Sequence, residues 1–562
     1  MDVLAAVGYS GWVLHVLVWL PVVGMVAVFA AGERAKHVAL AVASVEFLVA
    51  LPLWWAFSSA TAAFQFASSA EWIPHWGIRY SVGIDGISVL LVLLSAFLWP
   101  LAILGSYRYI TSREPAFYAM MLLLLTGVMG AFVALDLFLF FIFFELMLIP
   151  MYFIIGIWGG ERRVYAAIKF FLFTAFGSLL MLVAILYLSF KFSALTGGAS
   201  FAYEDLLRVP LTFREQFWLF AAFATAFAIK VPLFPFHTWL PDAHVEAPTP
   251  GSVILAAVLL KIGTYGFLRF LFPLFPEAAT HPDVVMVMLV LGTAGILYAA
   301  WVAAVQPDAK KLIAYTSVAH MGFVVLGIFA LTLTGIQGGI IVMLSHGVST
   351  GAMFLLLGML YERRHTREIA AFGGLASVAP VFATVFVVTA LASIGLPGTS
   401  GFVGEFLALL GTFETHPWIA LVATLGVIFA AYYMLPMVQR IWFNALDKEE
   451  NRHFPDLSRR EMVVLAPLVA VMIWMGVYPK PFLERTEASV IELIEAVEAG
   501  RAPLSAQAAG DGDGGPPPAR IGGTEREPVE VVVVEGEARV EGTAARAADP
   551  ATGAARASHG GD

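Results

Sequence analysis

Six ionisable residues stand inside long apolar runs of this sequence, where charged side chains are rare. They comprise two acids, two lysines and two histidines: Glu145, Lys230, Lys261, His320, His346 and Glu405. A charged side chain at the centre of a bilayer costs at least about 2.5–3.5 kcal/mol, so each such residue suggests a function by default. Carboxyl, amine and imidazole groups can all accept and release a proton in a buried setting. The chemistry that the six share is therefore proton transfer.

The depth of these residues in their runs is also similar. Glu145, Lys261, His320 and His346 each follow the start of a run by eight to ten residues, which corresponds to about 12–15 Å in a helix. Groups at one depth on several helices form a row in the plane of the membrane. Such a row is suited to moving protons laterally.

Other interpretations of the same residues stay open at this point. Glu145 and Lys230 could form a static buried ion pair that fixes helix packing. His320 or His346 alone could be a hydrogen-bonded histidine between helices, and together they could bind haem in a membrane cytochrome. Glu46 has no motif around it and receives no role. Lys169 also receives none, because it is close enough to its helix end to reach the surface.

Two of the runs that carry these residues contain helix breakers. The segment IKVPLFPFHTWLPDAH (229–244) has three prolines after Lys230, and ASIGLPGTSGFVGEF (392–406) places Gly395, Pro397, Gly398 and Gly401 before Glu405. Proline removes a helical hydrogen bond, and freed backbone within a membrane is tolerated only in protein or beside water. Broken helices beside ionisable residues are typical of transporters.

The composition requires a membrane as the main solvent for these elements. Hydrophobic residues make up 60% of the 562 and charged residues 13%, with a mean hydropathy of +0.84, whereas soluble chains carry about 25% charged residues. Runs of about 20 apolar residues can span a bilayer. They predict an all-α polytopic protein with fourteen spans, at 12–31, 38–57, 87–105, 117–133, 137–158, 164–190, 217–239, 252–271, 284–305, 312–331, 336–361, 378–410, 418–438 and 462–478.

The broken helices are the seventh and the twelfth of these spans. Because five is odd, corresponding helices of two five-helix units would run in opposite directions, which is an inverted repeat. The predicted organisation is three N-terminal helices, two five-helix repeats, a last helix with a short amphipathic segment, and a tail, at 1–116, 117–271, 272–438, 439–500 and 501–562.

Loop charge predicts the orientation of the chain. Sixteen Lys and Arg fall in odd-numbered loops and five, including Arg269, in even-numbered loops, and cytoplasmic loops collect basic residues. Both termini are therefore expected in the periplasm of a bacterial inner membrane. The first run lacks the features of a cleaved signal peptide and is expected to be a retained span. The tail is rich in Gly, Ala and Pro and is expected to be disordered, apart from a weak strand pattern at 529–540.

The sequence contains no cysteine. Disulfides, thiolate-ligated iron–sulfur clusters and cysteine nucleophiles are thus excluded from this chain. We expect no cofactor and no metal in it, so that any redox chemistry belongs to a partner.

Several motifs give a specific resemblance over roughly residues 80–480. FFELMLIPMYFIIGIWGGERRVYAAIKFFLFT (143–174), KVPLFPFHTWLPDAHVEAPTPGSVILAAVLLKIGTYGFLR (230–269), PDAKKLIAYTSVAHMG (307–322), MLSHGVSTGAMFLLLGMLYERRHTREI (343–369) and LPGTSGFVGEF closely resemble the antiporter-like, Mrp-type subunits of respiratory complex I. The resemblance implies a proton-translocating subunit of NADH:quinone oxidoreductase. It assigns the relay to Glu145, Lys230, Lys261, His320, His346 and Glu405.

The resemblance also implies partners and a place in the family. Glutamate at 405 matches the branch that has an acid rather than lysine at the exit position. The implied neighbours are other membrane subunits of complex I, with the L and N antiporter-like subunits on either side, while FMN, iron–sulfur clusters and quinone would be bound by partner subunits. A subunit of a multisubunit cation/proton antiporter or of a membrane-bound hydrogenase-type complex remains the alternative.

Overall fold

The computed structural model describes residue 4 and residues 6–500, and most of these residues are helical. Within this part, eleven helical stretches are long and apolar enough to cross a membrane. The protein is therefore a polytopic helical membrane protein. The predicted tail, with its strand pattern at 529–540, lies outside the described residues.

The first half of the described chain contains nine main helices and one hairpin. The helices are α1 Tyr9–Ala31, α2 Ala35–Ala50, α3 Val89–Ser106, α4 Glu114–Val133, α5 Leu137–Leu146, α6 Leu148–Trp158, α7 Arg163–Thr196, α8 Phe213–Lys230 and α9 Trp239–Glu246. Strands β1 Gln65–Ile73 and β2 Ile78–Ile84 pair antiparallel between α2 and α3, with Gln65 opposite Ile84 and Ile73 opposite Ile78.

The second half is also built from long helices. They are α10 Thr249–Leu274, α11 Pro282–Ala304, α12 Ala309–Phe329, α13 Leu333–Arg364, α14 Pro380–Ser393, α15 Ser400–Thr415, α16 Pro417–Val438, α17 Arg459–Val477 and α18 Lys480–Ala499. The amphipathic segment predicted after the last span is the helix α18.

Most predicted runs coincide with helices to within a few residues, but several are interrupted. The run 137–158 forms α5 and α6, which meet at Met147. The run 217–239 leaves its helix after Lys230, and the run 378–410 divides into α14 and α15 around residues 394–399. The predicted breaks beside Lys230 and Glu405 are thus present.

Several basic residues that were counted in loops lie on helices, and Arg269 is the most deeply buried of them. Arg269 belongs to α10 rather than to a loop, and only 6% of it is exposed. It forms an ion pair with Asp85, which stands between β2 and α3 and is itself buried. A buried arginine requires such a partner, and no motif around Asp85 indicated that it would meet Arg269.

Burial separates interior helices from peripheral ones. The most apolar windows of α10 and α13 are 100% buried and that of α12 is 94% buried, compared with 39% for α7 and 33% for α17. The peripheral helices instead expose large apolar side chains such as Val183, Phe190 and Trp418. A bilayer tolerates this exposure, since lipid tails are as apolar as leucine. The helices that carry Lys261, His320 and His346 are therefore those farthest from lipid.

Candidate proton-transfer site

Lys261 and His346 meet in the interior between α10 and α13. The Nζ atom of Lys261 lies 2.6 Å from Nδ1 of His346 and 2.6 Å from the carbonyl oxygen of Ala256. Lys261 is completely buried and His346 is 3% exposed. The two residues are 85 positions apart in the sequence, and their contact joins two different helices.

The local shape of α10 explains how a backbone carbonyl becomes available to Lys261. Residues 255–259 and 267–271 are π-helical, and Lys261 lies on the short α-helical segment Leu260–Gly266 between them. A π-helical turn changes the hydrogen-bond register and is frequent at functional sites. The side chain of Lys261 therefore donates to the Ala256 carbonyl, which in a continuous α-helix would accept only from the backbone N–H four residues later.

His320 and Glu405 form the next contact of the row. Nδ1 of His320 lies 2.8 Å from Oε1 of Glu405, and its Nε2 lies 3.4 Å from the hydroxyl of Ser393. The rings of His320 and His346 are 5.6 Å apart between centroids. Lys261, His346, His320 and Glu405 thus follow one another through the interior.

A small cavity lies among these groups. It provides about 10 Å³ for the centre of a water molecule and is lined by both histidines, Glu405 and three serines, Ser345, Ser349 and Ser393. About 10–15 Å³ is enough for one water. The Nε2 atom of His346 is buried without a hydrogen-bond partner, so a water there would connect the two imidazoles. This volume is much smaller than a haem group occupies.

The break between α14 and α15 positions Glu405. Gly395 has a φ of 75°, and a Cβ atom on it would lie 3.0 Å from Oε2 of Glu405. Glycine is suited to both demands, because it adopts positive φ without strain and leaves space for a close side chain. The carboxyl group consequently packs against unwound backbone rather than against a helix side.

Lys230 occupies a different environment at the end of α8. A capping box of Thr212 and Glu215 begins this helix. At its other end, Nζ of Lys230 lies 4.9 Å from the ring centre of Phe144 and 6.0 Å from that of Phe170. The residue is 1% exposed and its Nζ has no hydrogen-bond partner among the described residues. The faces of these two rings can therefore stabilise Lys230 as a cation.

Glu145 lies at the end of α5, beside the interruption at Met147. Asp136 caps this helix by accepting hydrogen bonds from the backbone N–H groups of Phe138 and Leu139, both at 3.0 Å. Burial raises the pKa of Asp136 to about 6, against the lowering effect of these backbone donors. Glu145 itself is half-buried, and its Oε1 has no hydrogen-bond partner in the described part of the chain.

The ion pair expected between Glu145 and Lys230 is not closed in this structure. Across residues 6–500, no carboxylate oxygen lies within 4.0 Å of Lys230 Nζ. The two residues are still neighbours through Phe144, which adjoins Glu145 in sequence and Lys230 in space. The static ion pair is thus not formed here.

A second separation lies between Lys230 and Lys261. A Cβ atom on Gly263 would lie 3.1 Å from Cβ of Lys230, so α8 and α10 approach each other at this glycine. Successive residues of a helix turn by about 100°, and Lys261 precedes Gly263 by two. Lys261 therefore points away from the face that meets Lys230, towards His346.

Serine hydroxyls at the cavity were missed by the sequence reasoning. Ser345 and Ser400 lie 2.8 Å apart through their hydroxyls, and Ser393 approaches His320. Their signal was weak but present, since Ser345 adjoins His346 in sequence and Ser393 precedes the broken segment.

Lys169, which received no role, pairs with Asp242 at 2.7 Å. In the described part of the chain, no group of three or more His, Asp or Glu is arranged to hold a metal ion.

Two family models match this chain. One is described as "NADH:quinone oxidoreductase/Mrp antiporter, TM" and matches residues 134–430. The other, "NADH-ubiquinone oxidoreductase chain 4, amino terminus", matches residues 37–131. All six residues of the row lie in the first of these two ranges.

Individual relatives and solved structures agree with the family models. NADH-quinone oxidoreductase subunit M of Rhodobacter capsulatus is 47% identical over 86% of this chain and 94% of its own length. NADH-ubiquinone oxidoreductase chain 4 of Marchantia polymorpha is 44% identical over 80% and 90%. A chain of respiratory complex I from Thermus thermophilus has a TM-score of 0.78 at 36% identity, covering 86% of this chain and 99% of that one. The Mrp complex of Dietzia shares the fold, with a TM-score of 0.71 at 21% identity over 88% and 56%.

Proposed function

Because this chain belongs to the NADH:quinone oxidoreductase/Mrp antiporter membrane family and is a complex I subunit of the M type, we propose that its proton translocation uses the buried row described above. The row runs in the order Glu145, Lys230, Lys261, His346, His320, Glu405. Electron transfer from NADH to quinone occurs elsewhere in the complex, and this chain couples that reaction to proton movement.

The observation that carries the proposal is the pair of contacts Lys261–His346 and His320–Glu405, with one small cavity between the two imidazoles. A proton leaving Nζ of Lys261 passes to Nδ1 of His346, at 2.6 Å. The same ring then releases a proton from Nε2 into the cavity, and this proton moves towards His320. His320 then exchanges it with Glu405 across 2.8 Å. Each step joins a donor to an acceptor over hydrogen-bond distance or through one water.

We propose that proton transfer along the row is controlled at two gaps. One lies between Glu145 and Lys230, and the other between Lys230 and Lys261. Nζ of Lys230 lies over aromatic rings and more than 4.0 Å from the carboxyl oxygens of Glu145, so closing that ion pair requires movement of one side chain. Lys261 is divided from Lys230 by the body of α10. Charge rearrangement acts across such a gap through the electrostatic potential. We propose that opening or closing the Glu145–Lys230 pair alters the proton affinity of Lys261 in this way.

We further propose the predicted arrangement of fourteen spans in two inverted repeats, at 117–271 and 272–438. Eleven apolar stretches supply most of this number. The long stretch Tyr9–Ala56 contains α1 and α2, and the segments Phe213–Glu246 and Pro380–Thr415 contain the broken helices. Counting these brings the proposed total to fourteen. An even number of spans would leave both termini on one side of the membrane, which we propose to be the periplasm from the loop charges.

The proposed partners follow from membership of complex I. Other membrane subunits, with the L and N antiporter-like subunits as flanking neighbours, would contact the lipid-exposed sides of this chain. FMN, iron–sulfur clusters and quinone would be bound by partner subunits. The half-buried position of Glu145 supports a neighbour on that side, because an acid partly exposed at this depth would otherwise face lipid.

Replacing His346 by Gln tests the contact series directly. Glutamine can keep a hydrogen bond to Lys261, but it cannot transfer a proton between two ring nitrogens. We expect the complex carrying His346→Gln to assemble and to lose at least about tenfold in NADH-driven proton uptake by membrane vesicles. His281→Gln, on a side chain that is 41% exposed, is the matched control and should pump normally. Normal pumping by assembled His346→Gln would refute the proposed route.

A further inference from the structure

A second buried acid lies outside the row, in the N-terminal helices. Glu46 on α2 is completely buried, and neither of its carboxyl oxygens has a hydrogen-bond partner among the described residues. The buried face of α2 is otherwise a stripe of small residues: Ala35, Ala39, Ala43 and Ala50. Buried polar groups are nearly always hydrogen-bonded, so this unpaired carboxyl group needs an explanation.

A second unpaired group lies on the neighbouring helix. The hydroxyl of Thr126 on α4 is buried, with 1% of the residue exposed, and it also has no partner in the described part of the chain. Most other buried threonines in the described part of this protein donate to the carbonyl three or four residues earlier, as Thr412 does to Ala408 at 2.7 Å. Thr126 makes no such hydrogen bond.

Helix register places the two groups at the same depth. Lys36 pairs with Glu114 at 3.6 Å, so α2 and α4 begin side by side and run in the same direction. Further along, Val42 of α2 and Leu122 of α4 both pack against Gly24 of α1. Glu46 and Thr126 each follow these contacts by four residues, which is about one helical turn or 6 Å.

The third helix at this place supplies an acceptor. Gly24 and Pro21 lie on the same buried face of α1. Proline has no N–H to give to the carbonyl four residues earlier, here that of Leu17, which is completely buried. An acid, a hydroxyl and a carbonyl released from the helical pattern therefore come from three packed helices at neighbouring levels.

The surrounding charges favour the neutral form of the acid. Charged and imidazole side chains of α1–α4 lie towards the helix ends: His15, Lys36, His37 and Glu114. Lys36 precedes Glu46 by ten residues, or about 15 Å, and is already paired with Glu114. An ionised carboxylate in this apolar setting would lack any compensating cation, and its desolvation would cost several kcal/mol.

We propose that Glu46 and Thr126 form a proton-and-water site separate from the row. Glu46 holds a proton, and one water bridges its carboxyl group to the Thr126 hydroxyl and the Leu17 carbonyl. A water with two to four polar partners is the usual way in which buried groups that do not touch are satisfied. The ligands of this site are thus a proton and a single water molecule.

Infrared difference spectroscopy on the purified complex tests the site. The spectrum of the parental complex minus that of Glu46→Gln should contain the C=O stretch of a protonated carboxylic acid, and this band should persist in alkaline buffer. Absence of the band would show that Glu46 is ionised and would overturn the proposal. A band that disappears on addition of sodium ions would also overturn it, because the site would then bind a cation.

A second variant tests the shared water and does not depend on the stability of Glu46→Gln. Thr126→Val removes the hydroxyl at nearly constant volume, and the Glu46 band should shift to higher wavenumber as its carbonyl loses a hydrogen bond. Thr412→Val, on a buried hydroxyl that already bonds its own helix, should leave the band in place. An unmoved band in Thr126→Val would refute a site shared by the two residues.

Discussion

Lys261 keeps a fixed position in either protonation state because its second partner is a carbonyl. As an ammonium group it donates to both the Ala256 carbonyl and Nδ1 of His346. As a neutral amine it still donates to the carbonyl, since an amine retains two N–H bonds. The nitrogen therefore stays within 2.6 Å of the histidine while the charge leaves it. This arrangement favours a titrating lysine over a static counter-charge.

The identity of these residues could be predicted from the sequence, but their pairing could not. Unusual charges in apolar runs and motif resemblance pointed to all six. Depth along a run, however, does not fix the rotation of a helix, so the contact of Lys261 with His346 rather than with Lys230 was not foreseeable. The open distance between Glu145 and Lys230 likewise depends on side-chain rotamers that no spacing encodes.

Glu405 offers a prediction about the end of the row. Glu405→Lys should retain a larger share of proton pumping than Glu405→Ala, because lysine can still carry a proton beside His320 and alanine cannot. Alanine also leaves His320 without its 2.8 Å partner, an unsatisfied group that costs about 1–3 kcal/mol. The measurement is NADH-driven pH-gradient formation in vesicles containing equal amounts of assembled complex. Equal, near-normal gradients in both variants would show that Glu405 lies off the route.

At the scale of elements, interrupted helices position three residues of the row. Lys230 ends α8, Glu145 ends α5, and Glu405 follows the unwound residues 394–399. The proline and glycine clusters predicted two of these breaks. The interruption at Met147 also has a local cause that was missed, since Pro150 has no N–H for the carbonyl of Leu146. The first π-helical turn of α10, Leu255–Leu259, contains no Pro or Gly and so had no such signal. The β1–β2 hairpin was also missed, since its mixed polar sequence alternates weakly.

The unwound segment before α15 gives a prediction with an internal control. Gly395 and Gly398 both have positive φ, at 75° and 88°, so alanine at either costs about 1–2 kcal/mol of backbone strain. Only at Gly395 would the new Cβ meet Glu405, because no atom lies within 4 Å of the equivalent position at Gly398. We expect Gly395→Ala to reduce pumping severalfold more than Gly398→Ala at equal assembly. Equal pumping by the two variants would refute the positioning role of Gly395.

At the scale of the whole molecule, the row lies across the interior while the outer helices meet lipid. α10, α12 and α13 are almost wholly buried, and α7 and α16 expose large apolar side chains. Composition predicted the membrane, and hydrophobic runs predicted most helices. Which helices lie inside could not be predicted, since in a bilayer interior and exterior residues are similarly apolar.

The orientation of the whole chain can be tested by thiol labelling, because the sequence has no cysteine. Gly198 and Glu161 are exposed residues just beyond opposite ends of α7. With periplasmic termini, Gly198→Cys should react with a membrane-impermeant maleimide in cells whose outer membrane is permeabilised. Glu161→Cys should react only after the inner membrane is opened. The reverse pattern would contradict the proposed orientation and the loop-charge argument behind it.

The most direct test of proton transfer through the interior is the rate of NADH-driven proton translocation in proteoliposomes containing Lys261→Arg. Arginine keeps the charge but does not release its proton in proteins, so a titrating site should fail and a static one should not. Lys169→Arg is the matched control, because Lys169 is a peripheral lysine paired with Asp242. We predict that assembled Lys261→Arg translocates at least about tenfold fewer protons in unit time, while Lys169→Arg keeps the parental value. Parental proton translocation in assembled Lys261→Arg would contradict the account and leave Lys261 as a fixed charge.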